Sequence, residues 1–76
     1  MKYTAIIEKT STGYSAYLPD VTGCVATGRT LSSVRRNIEE ALRFHLEGLH
    51  IEGEPLPVPS SKVETLDIPR RELALA

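Results

Sequence analysis

Apolar and polar residues alternate along the first eighteen residues of the chain, in two runs that a polar loop separates. The first run covers residues 2–9 and the second covers residues 14–18. A period of two residues is typical of a β-strand with one buried face. Residues 10–13 between the runs are Thr-Ser-Thr-Gly, a turn-forming cluster. The pattern therefore predicts a β-hairpin.

A short third β run follows the hairpin. Pro19 and Asp20 end the second run, because proline cannot donate a hydrogen bond to a β-ladder. Gly23 then permits a bend, and residues 24–27, which Gly28 closes, are too few for a helix. We therefore predict a third strand over residues 24–27, which extends the hairpin into an antiparallel meander.

One long amphipathic helix is predicted after the third strand. Thr30 is suited to the N-cap position, but Ser33 stands where a capping box usually has Glu. Apolar residues then recur with helical spacing, at positions 31, 34, 38, 41, 42, 46 and 49. We expect the helix to end near Gly48 or Gly53 and to cover the apolar face of the strands.

Beyond the helix, the chain is predicted to return to the sheet. Prolines at positions 55, 57 and 59 forbid a helix and favour an extended crossing. Residues 62–68 alternate again and predict a fourth strand, parallel to the first, which Pro69 ends. The expected fold is α+β with the order β-β-β-α-β, a mixed sheet with one helix packed on one face. We assign residues 1–68 to a single domain and residues 69–76 to a C-terminal tail.

Composition and charge argue against several classes of protein. The chain has 76 residues, 41% hydrophobic and 25% charged, which suits one small globular domain that gains from self-association. Its formal net charge of −1 argues against binding to nucleic acid or to a membrane surface. A lone cysteine excludes an intramolecular disulfide and suits a reducing compartment. No signal-peptide core or membrane-spanning run is present, so we expect a cytoplasmic protein.

Individual reactive residues do not form a catalytic pattern. His45 falls within the apolar stripe without a polar partner, so we interpret it as a partly buried structural histidine. Cys24 has no base at a recognised spacing and is interpreted as a small buried hydrophobe. Asp20 is expected to cap its own turn. A metal-dependent nuclease needs converging carboxylates, and the predicted fourth strand offers only Glu64 and Asp67. We predict no catalytic residue, no cofactor site and no metal site.

Charged residues follow the solvent side of the predicted helix: Arg36, Glu39, Glu40, Arg43 and Glu47. Opposite charges four residues apart contribute about 0.2–0.5 kcal/mol a pair. The simpler interpretation is a solvated helix face, and a docking surface is the alternative. For a docking surface, the candidate contacts are Glu39, Glu40 and Glu47. Tyr17, on the half-apolar sheet face that nothing covers, is a fourth candidate.

A set of motif residues runs through almost the whole chain, from about residue 3 to residue 68. The set consists of Tyr14-x-Ala16-x-x-Pro19-Asp20-x-x-Gly23-Cys24, Gly28-x-Thr30, Asn37, Glu40-Ala41 and Gly53-Glu54-Pro55-x-Pro57. In this order and spacing the chain resembles the HicB-like antitoxins, the former UPF0150 group. It departs from them at Ser33-Val34, where the family usually has Glu-Ala.

The resemblance implies a degraded ribonuclease-H-like fold that lacks the nuclease acids. It also implies a HicA-type toxin as partner, a small basic ribonuclease that cleaves mRNA with a histidine. The antitoxin neutralises such a toxin by masking its active site. Longer members add a C-terminal DNA-binding domain, and this chain is similar to the short form without it, so we do not expect DNA binding. We expect a homo-oligomer, a dimer or tetramer.

Three alternatives to a toxin-binding module remain open. A residual nuclease predicts metal-dependent RNA cleavage that Asp20→Asn abolishes. A nucleic-acid-binding domain that uses Tyr17, Arg35 and Arg36 predicts an affinity that falls steeply with salt. A stand-alone homo-oligomer predicts that no toxin partner exists, and a small basic reading frame beside the gene argues against it.

Overall fold

The computed structural model describes residues 1–74, in which three antiparallel strands precede one long helix. The elements are β1 (Ile6–Lys9), β2 (Tyr14–Tyr17), β3 (Val25–Gly28), α1 (Leu31–Ile51) and a 3-10 turn (Arg70–Glu72). The α+β class is confirmed. The 1–68 domain boundary stays a prediction, and residues 75 and 76 of the expected 69–76 tail lie outside the described residues.

The sheet has the strand order β1-β2-β3, so the predicted hairpin and meander are confirmed. Its helix-side face carries a row of paired residues, with Ile7 opposite Ala16 and Ala16 opposite Ala26. α1 packs mainly over β3 and, to a lesser extent, over β2. The buried core lies between the helix and these strands: Ala16, Leu18, Val21, Cys24, Val34 and Ile38.

The N-terminus of α1 is capped more completely than the sequence indicated. Ser33 N–H donates to the Thr30 hydroxyl oxygen, and Thr30 N–H donates to the Ser33 hydroxyl oxygen, both at 3.0 Å. A capping box is therefore present with serine in place of glutamate, because the serine hydroxyl also reaches the N-cap amide. At the other end, Glu52 is the C-cap and Gly53 has a φ of 72°, as the predicted end near Gly53 requires.

The predicted fourth strand is wrong. Residues 62–68 form no strand and pair with no other part of residues 1–74, so the described sheet is antiparallel and not mixed. Instead they run in an irregular, exposed course with Leu66 and Ile68 in solvent. Alternation in a sequence indicates that a segment suits a sheet, but it does not supply the neighbouring strand.

Candidate functional site

The predicted partner-binding residues lie on two separate surfaces. Tyr17 projects from the sheet face opposite the helix, since its neighbours Ala16 and Leu18 are both buried in the core. The three glutamates lie on α1 and are all exposed: Glu39, Glu40 and Glu47. The sheet separates Tyr17 from the helix, so the four residues do not form one site.

The sheet surface is an apolar row across all three strands. Ile6 lies directly opposite Tyr17, and Tyr17 lies directly opposite Val25. Tyr17 is 42% exposed although it lies in the central strand, and Val25 is exposed beside it. We call these three residues the sheet row. The sequence indicated that this face was half-apolar, but the row depends on a strand register that loop lengths alone did not give.

The helix surface centres on Phe44, which is 80% exposed. Glu40 is four residues before it and Glu47 three residues after it, so both carboxylates flank the ring on one helix face. Ile51, one more turn along, is also exposed on that face. We call these four residues the α1 outer face. A large aromatic side chain in water between two carboxylates is a typical anchor for a partner protein.

Phe44 was missed by the sequence analysis, although a signal for it exists. It is a large apolar residue that falls outside the helical stripe of buried positions. Its position around the helix explains its exposure. Phe44 lies on the face of Glu40 and Glu47 and not on the stripe that packs against the sheet.

Glu39 has a different environment from the other two glutamates. Its carboxylate accepts from the Arg43 guanidinium at 3.2 Å, and both side chains are mostly exposed. Of the opposite charges four residues apart on α1, only these two form an ion pair within residues 1–74. An exposed pair of this kind contributes at most about 1 kcal/mol. Glu40 and Glu47 therefore keep their charges available, whereas Glu39 is partly neutralised.

Asp20 holds the segment that follows the helix. Its Oδ2 accepts from the backbone amides of Ser60 at 3.0 Å and Ser61 at 2.9 Å, and its Oδ1 accepts from the two serine hydroxyls at 3.1 Å and 2.8 Å. These bonds, chiefly that from the Ser61 amide, lower the pKa of Asp20 to about 2. The structural role was expected, but the partner was wrong, since the carboxylate binds residues forty positions away rather than its own turn. The sequence feature that could have indicated this contact is the Ser60-Ser61 pair after the prolines, which offers two hydroxyls and two backbone amides to a carboxylate.

The other candidate residues have structural environments. Cys24 is buried, and burial raises the pKa of its thiol, which disfavours the reactive thiolate. His45 is half-buried on α1 beside Leu49, as expected. Among the described residues, no three His, Cys, Asp or Glu side chains lie close enough to hold a metal ion. Within residues 1–74, no helix is both long and apolar enough to cross a membrane.

Comparison with known proteins identifies the family. The model of the HicB_like antitoxin of bacterial toxin-antitoxin systems matches residues 3–72. The chain belongs to this family. A chain in the solved HicA3 and HicB3 toxin-antitoxin complex is similar to it, with a TM-score of 0.67 and 42% identity, over 79% of this chain and 70% of that one. The predicted HicB-like membership is confirmed.

Two curated relatives support the same assignment. An uncharacterised 14.9 kDa protein from the rep-hol intergenic region of Haemophilus phage HP1 is 46% identical over 57 residues, which are 75% of this chain and 43% of the phage protein. A UPF0150 protein of Helicobacter pylori is 39% identical over 62 residues, which are 82% of this chain and 83% of that protein. The HicB-like chain thus spans less than half of the phage relative but most of the Helicobacter protein.

Proposed function

We propose that this HicB-like chain is an antitoxin that binds a HicA-type toxin and masks the active site with which that toxin cleaves mRNA. The observation that carries the proposal is the likeness to a chain in the HicA3 and HicB3 complex, at 42% identity. The family match over residues 3–72 supports it. In this proposal the chain acts by binding and catalyses no reaction.

The environments of the reactive side chains favour binding over catalysis. Both oxygens of Asp20 are engaged by Ser60 and Ser61, which leaves the carboxylate poorly placed to hold a metal. The Cys24 thiol is buried. A residual nuclease would require these groups to converge with further carboxylates on one open site.

The α1 outer face is the docking surface that we propose. A protein interface gains most of its affinity from a few large side chains that become fully desolvated, and Phe44 offers such a side chain. Glu40 and Glu47 beside it suit a partner with a basic surface, which the family resemblance implies for the toxin. Binding there would place the body of the antitoxin over the basic surface that the toxin uses for RNA.

The test is inhibition of a cognate toxin by matched variants. A HicA-type toxin, sought first among the reading frames beside this gene, is purified, and its cleavage of mRNA is measured with increasing amounts of wild-type chain, Phe44→Ala and Tyr17→Ala. We expect wild type to inhibit cleavage and Phe44→Ala to bind at least about 30-fold more weakly, as loss of a central aromatic anchor costs about 2 kcal/mol or more. Tyr17→Ala, which changes the opposite surface, serves as the control.

Each outcome separates the possibilities. Inhibition that depends on Phe44 but not on Tyr17 supports the α1 outer face. The reverse dependence moves the toxin site to the sheet row and contradicts our choice of surface. Absence of inhibition by wild type, with an active toxin, contradicts the antitoxin proposal itself.

A stand-alone homo-oligomer is the alternative function, and the sheet row favours it. Tyr17 and Val25 are exposed side by side, and the half-buried Ile6 continues the apolar row on β1. Such a surface on a small domain commonly lies in an interface. A chain that associates with itself and shows no effect on any neighbouring toxin would support this alternative.

A further inference from the structure

The two edges of the sheet differ in what lies beside them. The chain that follows α1 passes along the β1 side, where the Tyr3 hydroxyl donates to the Pro57 carbonyl at 2.6 Å and the Thr4 hydroxyl donates to the Ser61 carbonyl at 3.2 Å. In the strand order β1-β2-β3, the β3 edge is the opposite one, and β3 pairs only with β2 within residues 1–74. A strand that extends the sheet beyond β3 would therefore come from another molecule.

The backbone groups that face the β3 edge follow from the ladder with β2. The Leu18 amide donates to the Cys24 carbonyl at 3.3 Å, so Cys24 faces β2. Successive residues of a strand face opposite sides, so Val25 faces away from β2, Ala26 faces it and Thr27 faces away again. The Val25 amide and carbonyl and the Thr27 amide consequently have no ladder partner in residues 1–74.

Asn37 shows which side of α1 overhangs this edge. Its side-chain amide donates to the Thr27 carbonyl at 2.8 Å, which agrees with a Thr27 backbone that faces away from β2. A carbonyl oxygen can accept two hydrogen bonds, so this contact leaves Thr27 able to pair with an added strand. The helix is thus fixed above the edge without closing it.

Phe44 lies on the same side of α1 as Asn37. The two residues are seven positions apart, which is close to two full helical turns. The helix begins three residues after β3 and packs over it, so it runs back along the strand. Seven helical residues rise about 10.5 Å, the length of about three strand residues, which brings Phe44 level with the start of β3. A mostly exposed aromatic ring therefore stands beside the open edge.

An extended segment of a partner protein suits this edge. When a peptide adds a strand to a sheet, main-chain hydrogen bonds supply affinity and its alternate side chains pack on the two faces. Here one face offers Val25, which is 67% exposed, and the other offers Phe44. A strand with alternate apolar residues would bury both side chains.

Charge favours a basic partner over a second copy of this chain. Glu40 and Glu47 flank Phe44 on the helix side of the edge, and neither forms an ion pair in the described chain. Two copies that paired through their β3 edges with both helices on one face would bring the same carboxylates together. Basic side chains on the added segment would instead complement them.

We propose that an extended strand of the HicA-type toxin pairs with the β3 edge, through the Val25 amide and carbonyl and the Thr27 amide, and that Phe44 covers this strand from the helix side. The inference rests on the proposed function and adds how the partner is held. It joins the β3 edge and the α1 outer face into one binding surface.

The first test is amide hydrogen exchange of the unaltered full chain, measured by NMR with and without saturating toxin. We expect the Val25 and Thr27 amides to exchange at least about 100-fold more slowly in the complex, because strand pairing would take them out of water. The Ile7 amide, which faces the opposite edge of the sheet, is the control and should not change.

The outcomes of this test separate the two proposals. Unchanged Val25 and Thr27 amides in a saturated complex overturn the strand pairing and leave the antitoxin proposal standing. A chain that neither binds nor inhibits an active toxin overturns both. Slow exchange of these amides in the free chain that disappears on dilution assigns the edge to a second copy and overturns the inference.

The second test removes one edge amide. Proline has no amide hydrogen, and at a position that faces away from β2 it leaves the existing ladder intact. We expect Val25→Pro to bind the toxin at least about 30-fold more weakly, since its ring also occupies the edge. Val25→Ala keeps the amide and should bind no more than about fivefold more weakly. A folded Val25→Pro chain, checked by circular dichroism, that binds as tightly as Val25→Ala overturns the inference.

Discussion

Asp20 shows how one side chain fixes the course of a distant segment. Its two oxygens accept four hydrogen bonds from Ser60 and Ser61. Because all four bonds are made to the ionised form, they lower the pKa of Asp20 from 3.8 to about 2. The anchoring is therefore complete above pH 3.8 and is lost as the pH falls through about 2.

Removing the charge of Asp20 should release this anchor at neutral pH. We expect Asp20→Ala to lose all four hydrogen bonds, because alanine has no acceptor, and to speed amide hydrogen exchange at Ser60 and Ser61 about tenfold or more. Asp67→Ala, in the exposed segment, is the control and should leave both amides unchanged. In wild type, the Ser60 and Ser61 amide shifts should titrate near pH 2. A midpoint near 3.8 would contradict the anchor.

At the residue scale, the sequence predicted the kind of role that a side chain has better than it predicted the residues that the side chain contacts. It interpreted Cys24 and His45 as structural, and the structure has Cys24 buried and His45 half-buried. It gave Asp20 a structural role but assigned it to the local turn, because the contact with Ser60 and Ser61 spans forty residues and has no local pattern. Phe44 was missed although its signal is local, since it is a large apolar residue outside the helical stripe.

The packing of α1 on β3 depends on close approach at Gly28. A Cβ atom at this position would lie 2.5 Å from the Val34 amide nitrogen and 2.8 Å from the Val34 Cα. Both neighbours belong to the helix backbone, which cannot move aside as a side chain can. Glycine therefore permits the first turn of the helix to rest directly on the end of the strand.

Two Gly→Ala variants should consequently have opposite effects on the free energy of unfolding. We expect Gly28→Ala to lower it by about 1–3 kcal/mol, since the methyl group overpacks the contact. Gly48→Ala should raise it by up to about 1 kcal/mol, because alanine is the better helix former and nothing lies within 4 Å of its Cβ. Urea unfolding at one protein concentration measures both. Equal effects of the two changes on the free energy of unfolding would show that close contact between β3 and α1 at Gly28 does not determine stability.

At the scale of elements, the sequence predicted the strands and the helix, which local periodicity determines. It failed for residues 62–68, where a strand would need a neighbouring strand from a distant part of the sequence. The three strands and the helix follow from periods of two and 3.6 residues, and the structure has them within a few residues of the expected bounds. Residues 62–68 have the same alternation but no strand beside them.

The charge of the whole molecule is nearly balanced, but its acidic groups differ in availability. Glu39 is paired with Arg43, whereas Glu40 and Glu47 flank the exposed Phe44 and have no ion pair in the described chain. Glu40 and Glu47 lie directly beside the apolar anchor, and Arg36 and Arg43 lie one helical turn from them. Two carboxylates that form no ion pair within residues 1–74 can attract a basic partner even when the whole protein is almost neutral.

This distribution predicts how the proposed toxin complex forms. Glu40→Gln/Glu47→Gln should slow association with the toxin about two- to tenfold at low salt, since exposed charge pairs contribute about 0.2–1 kcal/mol each. The effect should fade as salt screens the charges, and dissociation should change little because Phe44 remains in place.

Glu39→Gln is the matched control and should have a smaller effect, as Arg43 already neutralises that carboxylate. Surface plasmon resonance at several salt concentrations measures the association rates of the wild type and of both variants. A double variant that associates as fast as wild type at low salt would show that the toxin approaches by another surface.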